Sequence, residues 1–506
     1  MTRVTLIRPP IVIPSGNQTA IYSPPIGLAY VAAVLREAGH DVQVIDALGE
    51  ALDESHPADK DCVLIGMHPD AITARIRDNT EIIGVSAGFS FEWPVCRELG
   101  GLIRRRFPDA VLVAGGEHVT AAPEDSLTKS AFDIAVLGEG EETMRAIADA
   151  VAAGALDAST IDGVAWKTGE GGVQRTLRRA RIRAIDELPW PAWDLMPIGN
   201  YLDREYGFGV SRGRSMPMLA SRGCPYQCTF CSSPRMWTTR WGARDPRLLL
   251  DEMAHYQERY GVTNFDFYDL TAIVKKAWIV EFCTMIEERG MRFTWQLPSG
   301  TRSEAIDDEV AALLYKSGCR NLSYAPESGS PGVLARIKKK VKTDRMLDSI
   351  RSSRAAGLNL KANIMLGFPG ETWREVGETF RFIAQMAVAG VHDLSIWGFS
   401  PYPGTELYDQ IAGSRTVTLD DDFYDSLRSY ADASRTVSYS EHISDSQLKT
   451  LRFLGQAMFY MIAWTVRPWR PFGMVWRVLH GRQESRAEMA LINMLRKRRL
   501  FSTANR

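Results

Sequence analysis

The sequence predicts an α/β protein built from two successive strand–helix assemblies and a helical C-terminal segment. Three observations carry this. Short apolar runs alternate with helix-periodic stretches through residues 1–150. The alternation stops across a proline-bearing stretch at 151–205 and resumes over 206–415. From 416 to 506 strand-like runs disappear, and 447–466 is long, apolar and helix-like.

In the first assembly the strand-like runs are 4–7, 42–45, 82–85, 111–114 and 134–137, with helical stretches at 27–38 and 94–106. Such alternation predicts a doubly wound, Rossmann-like parallel sheet, whose ligands sit at the carboxyl ends of the strands. Those ends read Arg8-Pro9-Pro10, Ser86-Ala87-Gly88, Gly115-Gly116-Glu117-His118 and Gly138-Glu139-Gly140-Glu141. Glycine there lets backbone approach a large flat ligand. Cys62 and Cys96 read as buried thiols. In 151–205, Gly169, Gly171 and Gly172 mark a small hairpin. The stretch from Asp186 to Asp194, with Pro189 and Pro191, is too proline-rich for regular structure.

The second assembly opens on Cys224, Cys228 and Cys231, in the pattern C-x3-C-x2-C after an apolar run at 218–220. Three thiolates this close can aim at one inorganic cluster. Cubane iron–sulfur clusters normally take four thiolates, so three leave one iron open, and an open position marks a reactive centre. The alternatives are a zinc site or three unrelated cysteines. Zinc sites pair two cysteine halves or add histidines, and no such second half is present. Asp245-Pro246 starts a helix at 247–260 that Gly261 ends. Strands at 265–268, 293–296, 321–325, 361–366 and 393–399 alternate with helices at 278–289, 306–317, 343–356 and 374–389, giving six βα units with the strand before the cysteines. Cys283 and Cys319 read as core.

The cysteine pattern, with Phe230 before the third cysteine, resembles the radical S-adenosylmethionine (SAM) superfamily. The resemblance implies a partial (β/α)6, TIM-like barrel. It implies a [4Fe–4S] cluster on Cys224, Cys228 and Cys231, whose open iron chelates SAM before one electron cleaves it to a 5′-deoxyadenosyl radical. Glu327, in Glu327-Ser328-Gly329-Ser330, matches the ribose-binding element, and 364–372 matches the adenine-side motif with Ile364 and Gly367. Phe230 and Asp269 complete the implied SAM contacts. Gln296 and Arg302 follow the third strand as SAM-carboxylate or substrate contacts. Tyr402, in Pro401-Tyr402-Pro403-Gly404-Thr405, lies at the open side of the barrel, facing substrate or packing.

The first assembly resembles the cobalamin-binding domain that precedes many radical SAM domains. Its implied contacts are Pro9, Pro10, Pro25, Gly27, Ser86, Gly115, Gly116, Glu117, His118, Gly138, Glu139, Gly140 and Glu141. The D-x-H-x-x-G motif that gives cobalt an axial histidine is missing, since Asp53-Glu54-Ser55-His56 has the wrong spacing. Cobalt is therefore expected without a histidine ligand, and His118 as a loop side chain near the corrin. The expected organisation is a cobalamin-binding domain at 1–150, a linker at 151–205, a radical SAM domain at 206–415 and a helical domain at 416–506.

Composition narrows the setting. Sixty basic against 61 acidic side chains give a net charge of −1, so no overall field recruits nucleic acid. Seven cysteines, three of them clustered, fit a reducing compartment. The N-terminus runs straight into a strand, so no signal peptide is expected, and no apolar run is long enough to span a bilayer. The expected location is cytoplasmic. From Arg467 to Arg506, ten Lys or Arg face two Glu, with Trp469 and Trp476 among them. This segment is either a helical lid over the barrel mouth with a solvated basic tail, or a contact for a membrane surface or an anionic substrate.

Together the two resemblances imply a cobalamin-dependent radical SAM methyltransferase acting on an unactivated carbon of a small-molecule or lipid-like substrate. A flavodoxin- or ferredoxin-type protein is the expected electron donor. Cofactors carry the hard steps, and no nucleophile–base pair or catalytic base stands out. The same architecture also serves oxidative cyclases and rearrangement enzymes. A tRNA methylthiotransferase would carry further N-terminal cluster cysteines, yet only Cys62 and Cys96 precede residue 200. A non-enzymatic cobalamin carrier requires the cysteine loop to be inert.

Overall fold

The computed structural model describes residues 1–15, 21–169, 171–302, 305–414, 417–430, 432 and 435–504. Strand–helix alternation in the first half resolves into one sheet. Strands β1 (Arg3–Arg8), β2 (Asp41–Asp46), β3 (Ile82–Ser86), β4 (Val111–Gly115) and β5 (Ile134–Val136) pair in parallel in the order β2-β1-β3-β4-β5. The hairpin expected in the linker forms β6 (Val164–Lys167) and β7 (Val173–Arg175), which extend this sheet as an antiparallel edge. Alternate residues face opposite sides. Leu6, Ile82 and Val113 pack under helices Ile26–Glu37 and Glu141–Ala152. Ile7, Ile83 and Leu112 pack under helix Trp93–Arg106. The direction of winding reverses between β1 and β3, which opens a crevice at their carboxyl ends. A second small sheet, Ile11–Pro14, Ser55–Ala58 and Cys62–Ile65, has no counterpart in the sequence reading. Its strands are four residues long and two contain proline, which weakens any strand signal.

The second assembly is β8 (Ser215–Met218), β9 (Asn264–Phe267), β10 (Thr294–Thr301), β11 (Cys319–Glu327), β12 (Asn359–Leu366) and β13 (Asp393–Gly398). All are parallel and lie in sequence order. Among the described residues β8 and β13 do not pair, so the barrel is open. Helix Pro246–Tyr260 begins where Asp245 accepts the Arg247 N–H and ends at Gly261 in the left-handed region, φ +63°. Along β12, Leu360, Ala362, Ile364 and Leu366 are buried in the core with the helices, while Lys361, Asn363 and Met365 alternate to the other face.

The linker touches both halves. The Ala192 N–H donates to the Ala29 carbonyl, and Asp186 accepts from Arg244 at 3.0 Å and from the Asp245 N–H at 2.8 Å. After the barrel, Asp421–Ser426 returns to the first half: Arg97 pairs with Asp421 at 2.8 Å and the Tyr424 hydroxyl donates to Asp125 at 2.9 Å. Helix Asp445–Val466 then runs along the flank of β13, where Gln456 donates to the Leu394 carbonyl and the Tyr460 hydroxyl to Asp393.

A lid over the barrel mouth is not what the last helices form. Helix Asp445–Val466 has 22 residues and so runs about 33 Å. It carries the chain from Leu448, against Gly367, to Arg467, which donates to the Ala387 carbonyl. Beyond Trp469–Leu479 the chain therefore meets the opposite, amino-terminal end of the barrel. There Asn321 donates to the Glu484 carbonyl and the Arg486 N–H to Asp393. Among the described residues no helix is long and apolar enough to cross a membrane.

Candidate active site

The cysteine loop is held from both sides. Ser221–Arg222 pairs antiparallel with Gly242–Ala243. Gly223 has φ +85°, and a Cβ there would lie 2.1 Å from the Arg240 carbonyl oxygen, so no other residue fits without moving backbone. The Thr229 N–H donates to the Ile337 carbonyl and the Leu407 N–H to the Thr229 carbonyl. Cys224, Cys228 and Cys231 are unpaired thiols. Burial pushes the Cys231 thiol up to about 12 and raises Cys228, against the pull of Lys339. Thiolates here therefore need a strong cation beside them. Thr229 Oγ1 and Ser233 Oγ are buried with no protein partner. Among the described residues no three His, Cys, Asp or Glu side chains surround one point as ligands of a single ion do. An all-sulfur set spread along a loop instead suits three corners of an iron–sulfur cluster.

A cavity of about 390 Å³ lies between this loop and the first sheet. Gly88, Phe89, Phe91 and Glu117 wall it on one side; Phe230, Cys231, Glu327, Asn363, Trp397 and Tyr402 wall it on the other. Aromatic walls with a few polar groups are usual for small-molecule sites. Glu327 has φ +67° in a non-glycine residue, just past an irregularity in the β11–β12 pairing. Strained backbone of this kind collects at functional sites. Its Oε1 accepts from Lys339 Nζ at 3.0 Å, and Lys339 Nζ also lies 5.8 Å from the Phe230 ring centre. Lys339 escaped the sequence reading because Lys338-Lys339-Lys340 looks like a solvated basic run.

The other expected SAM and substrate residues divide. Asp269 is buried with both oxygens engaged, by the Ser221 hydroxyl at 2.5 Å and the Ala220 N–H at 3.1 Å, and burial raises its pKa to about 6. It braces the strand that enters the cysteine loop. The Ile364 side chain lies in the core, and its neighbours Asn363 and Met365 are the ones that line the cavity. Gly367 has φ +87°, donates its N–H to Glu371 at 2.6 Å, and a Cβ there would lie 2.5 Å from Leu448 Cδ2. Arg302 stacks over the Tyr226 ring at 3.7 Å, beside the cysteine loop and outside the cavity wall. Gln296 is engaged by Asp266 and the Val210 backbone in the barrel interior, away from the cavity. Tyr402 lines the cavity and donates to the Leu427 carbonyl at 3.3 Å.

A cleft of about 200 Å³ runs along the carboxyl ends of the first sheet, lined by Gly27, Ser86, Gly115, Gly116, Gly138 and Gly140 and closed by Met236 and Trp237. An added Cβ at Gly27 would meet nothing within 4 Å and at Gly115 only Val136, at 3.9 Å, whereas at Gly116 it would lie 2.6 Å from the Ala87 carbonyl oxygen. Bare backbone at these positions, beside Leu28, Val31 and Met144, suits close approach of a large flat ligand such as a corrin. Pro9 and Pro10 are buried and Pro25 precedes helix Ile26–Glu37; none of the three lines the cleft or the cavity. Glu117 accepts from the Ser232 hydroxyl, and burial raises its pKa to about 7. His118 lines neither space. It is 3.0 Å from the Ser90 hydroxyl and packs against Trp93 and Tyr424, and burial lowers its pKa to about 3, so the ring is neutral.

Glu139 and Glu141 do something the sequence reading missed. Their carboxylates bind Arg222, two residues before Cys224, at 3.2 and 2.6 Å. Arg222 is buried, with its guanidinium 5.0 Å from the centre of the Tyr30 ring. Arg181 of the linker also pairs with Glu139 and donates to the Arg240 carbonyl. These charges therefore lock the glycine-rich turn after β5 to the cysteine loop, and Glu139 and Glu141 line the cleft as well.

Residues 218–383 match the radical SAM superfamily and residues 18–148 match the B12 binding domain. An uncharacterized methyltransferase of Pyrococcus horikoshii is 29% identical over 422 residues, covering 82% of this chain and 85% of that protein. The cytidylyl-2-hydroxyethylphosphonate methyltransferase of Streptomyces wedmorensis is 26% identical over 432 residues, 79% and 80% of the two chains. The anaerobic magnesium-protoporphyrin IX monomethyl ester cyclase of Rubrivivax gelatinosus is 25% identical over 414 residues, 81% and 70%. Among solved structures, the radical SAM methyltransferase TsrM of Kitasatospora setae, with tryptophan and a SAM analogue bound, aligns with TM-score 0.63 at 20% identity, covering 82% of this chain and 78% of that one. The cobalamin-dependent radical enzyme OxsB aligns with TM-score 0.67 at 15% identity over 100% of this chain and 80% of that one. At these identities the structures establish the shared fold.

Proposed function

Because the chain joins a B12-binding domain to a radical SAM domain and so belongs to the cobalamin-dependent radical SAM enzymes, we propose that it is a C-methyltransferase. It moves a methyl group from methylcobalamin to an unactivated carbon of a small-molecule substrate. The cavity shared by the two sheets carries the reading, because a molecule held there lies between the cysteine loop and the open crevice of the first sheet. When bound, the cluster with SAM supplies a 5′-deoxyadenosyl radical and methylcobalamin supplies the methyl group.

In this reading Cys224, Cys228 and Cys231 hold the cluster. Glu327, kept in place by Lys339, takes the ribose hydroxyls of SAM, with Phe230 and the backbone near Gly367 alongside. Asp269 acts as a positioning residue for the loop. Gly27, Ser86, Gly115, Gly116, Gly138 and Gly140 seat cobalamin. Phe89, Phe91, Trp397 and Tyr402 exclude water from the reacting carbon. An external flavodoxin- or ferredoxin-type donor supplies the electron.

The test is anaerobic turnover of reconstituted protein with SAM, cobalamin and reductant against candidate substrates. Methyl transfer yields 5′-deoxyadenosine, S-adenosylhomocysteine and a product heavier by one CH2. Cys228→Ala removes all three, and turnover that survives this change defeats the reading. The cyclase relative supports a second outcome. Ring formation would give 5′-deoxyadenosine and a product lacking hydrogens, with no S-adenosylhomocysteine.

A further inference from the structure

We propose that helix Trp469–Leu479, with the exposed stripe of the helix before it, seats the enzyme on an anionic membrane surface without crossing it. None of this helix's residues is buried. Trp469, Phe472, Trp476 and Leu479, at spacings of three, four and three, share one side, and they are 63%, 77%, 51% and 74% exposed. The opposite side is turned inward: Arg470 donates to the Gly390 and Val391 carbonyls, and Arg477 pairs with Glu488. The preceding helix, two residues away in the chain, adds exposed Phe453, Met461 and Trp464. Large apolar side chains exposed in such number along one helix side mark a contact.

Charge identifies what makes that contact. From Ser446 to Gln483 the sequence contains no Asp or Glu. The two glutamates that follow, Glu484 and Glu488, already pair with Arg477. Arg482 remains exposed, close to the Trp476 ring, and the run Arg496-Lys497-Arg498-Arg499 follows in the last helix. A second copy of the chain would bring this carboxylate-free, cationic segment against itself across a symmetric contact. Anionic headgroups complement it, and tryptophan with phenylalanine and leucine suits the headgroup boundary.

The test uses the full-length holoprotein in vesicle flotation, with phosphatidylcholine alone and with phosphatidylcholine plus phosphatidylglycerol. Binding is expected to the mixed vesicles, to fall as salt rises, and to drop by about tenfold or more in the Phe472→Asp/Trp476→Asp double variant. The far-UV spectrum of that variant should match the parent, as exposed positions require. Failure of the parent to float with mixed vesicles, or equal flotation of the double variant, overturns the proposal. So does a dimer in light scattering that the double variant separates while vesicle binding is absent, since a second copy would then be the occupant.

Discussion

Replacing Arg222 by methionine tests the clamp between the halves. The change keeps side-chain volume but removes the guanidinium that bonds Glu139 and Glu141. Glu139 retains Arg181 and the Ile182 N–H, whereas Glu141, 4% exposed, has no other side-chain partner among the described residues. Breaking a buried pair by removing one member costs about 3–5 kcal/mol, mostly from the stranded charge. Arg222→Met should therefore lower the free energy of unfolding by about that amount. Glu141→Gln in the same chain should recover about half, because a neutral amide is far cheaper to leave unpaired. Denaturant titration of the parent, both single variants and the double closes the cycle. If Arg222→Met costs under about 1 kcal/mol, or Glu141→Gln recovers nothing, the pair behaves like a solvated one and the clamp is refuted.

Other predictions follow from single contacts. Glu327→Gln should weaken SAM binding about tenfold or more, since hydrogen bonds to a charged acceptor contribute about 1.5–3 kcal/mol; equilibrium dialysis of the reconstituted protein measures it. Gly367→Ala forces a Cβ into the left-handed region and against Leu448, costing about 2–4 kcal/mol of stability in denaturant titration. Leu448→Ala in the same chain should relieve only the steric share. His118 stays neutral when folded, with its pKa lowered to about 3 by burial, while the unfolded chain protonates near the ordinary value. Its stabilising share is thus complete above about pH 6.5 and is lost as pH falls, by about 2 kcal/mol at pH 5. His118→Phe should remove that share of the acid sensitivity.

The strand positions of both assemblies were legible because period-2 and helical periods are local properties. The cysteine loop and the glycine-bearing strand ends were legible because each motif sits within a dozen residues. What stayed hidden was pairing at long range. Arg222 lies 83 and 81 residues from its carboxylates, so its pairing with Glu139 and Glu141 was not visible beside their expected place at the cleft. Asp269 lies 48 residues from the Ser221 hydroxyl that occupies it. Ile364 and Met365 are adjacent, and only strand register decides which one faces the cavity. A helical lid over the barrel mouth was the wrong end for this segment, because helix length times rise, and not charge, sets where Glu484 and Arg486 arrive.

The seating of Glu484, Ser485 and Arg486 at the strand beginnings leaves only about 30 Å³ at that end, room for a single water or so. The amino-terminal end of the barrel is thus filled by protein, and among the described residues the roomier cavities border the cysteine loop and the segment that follows it.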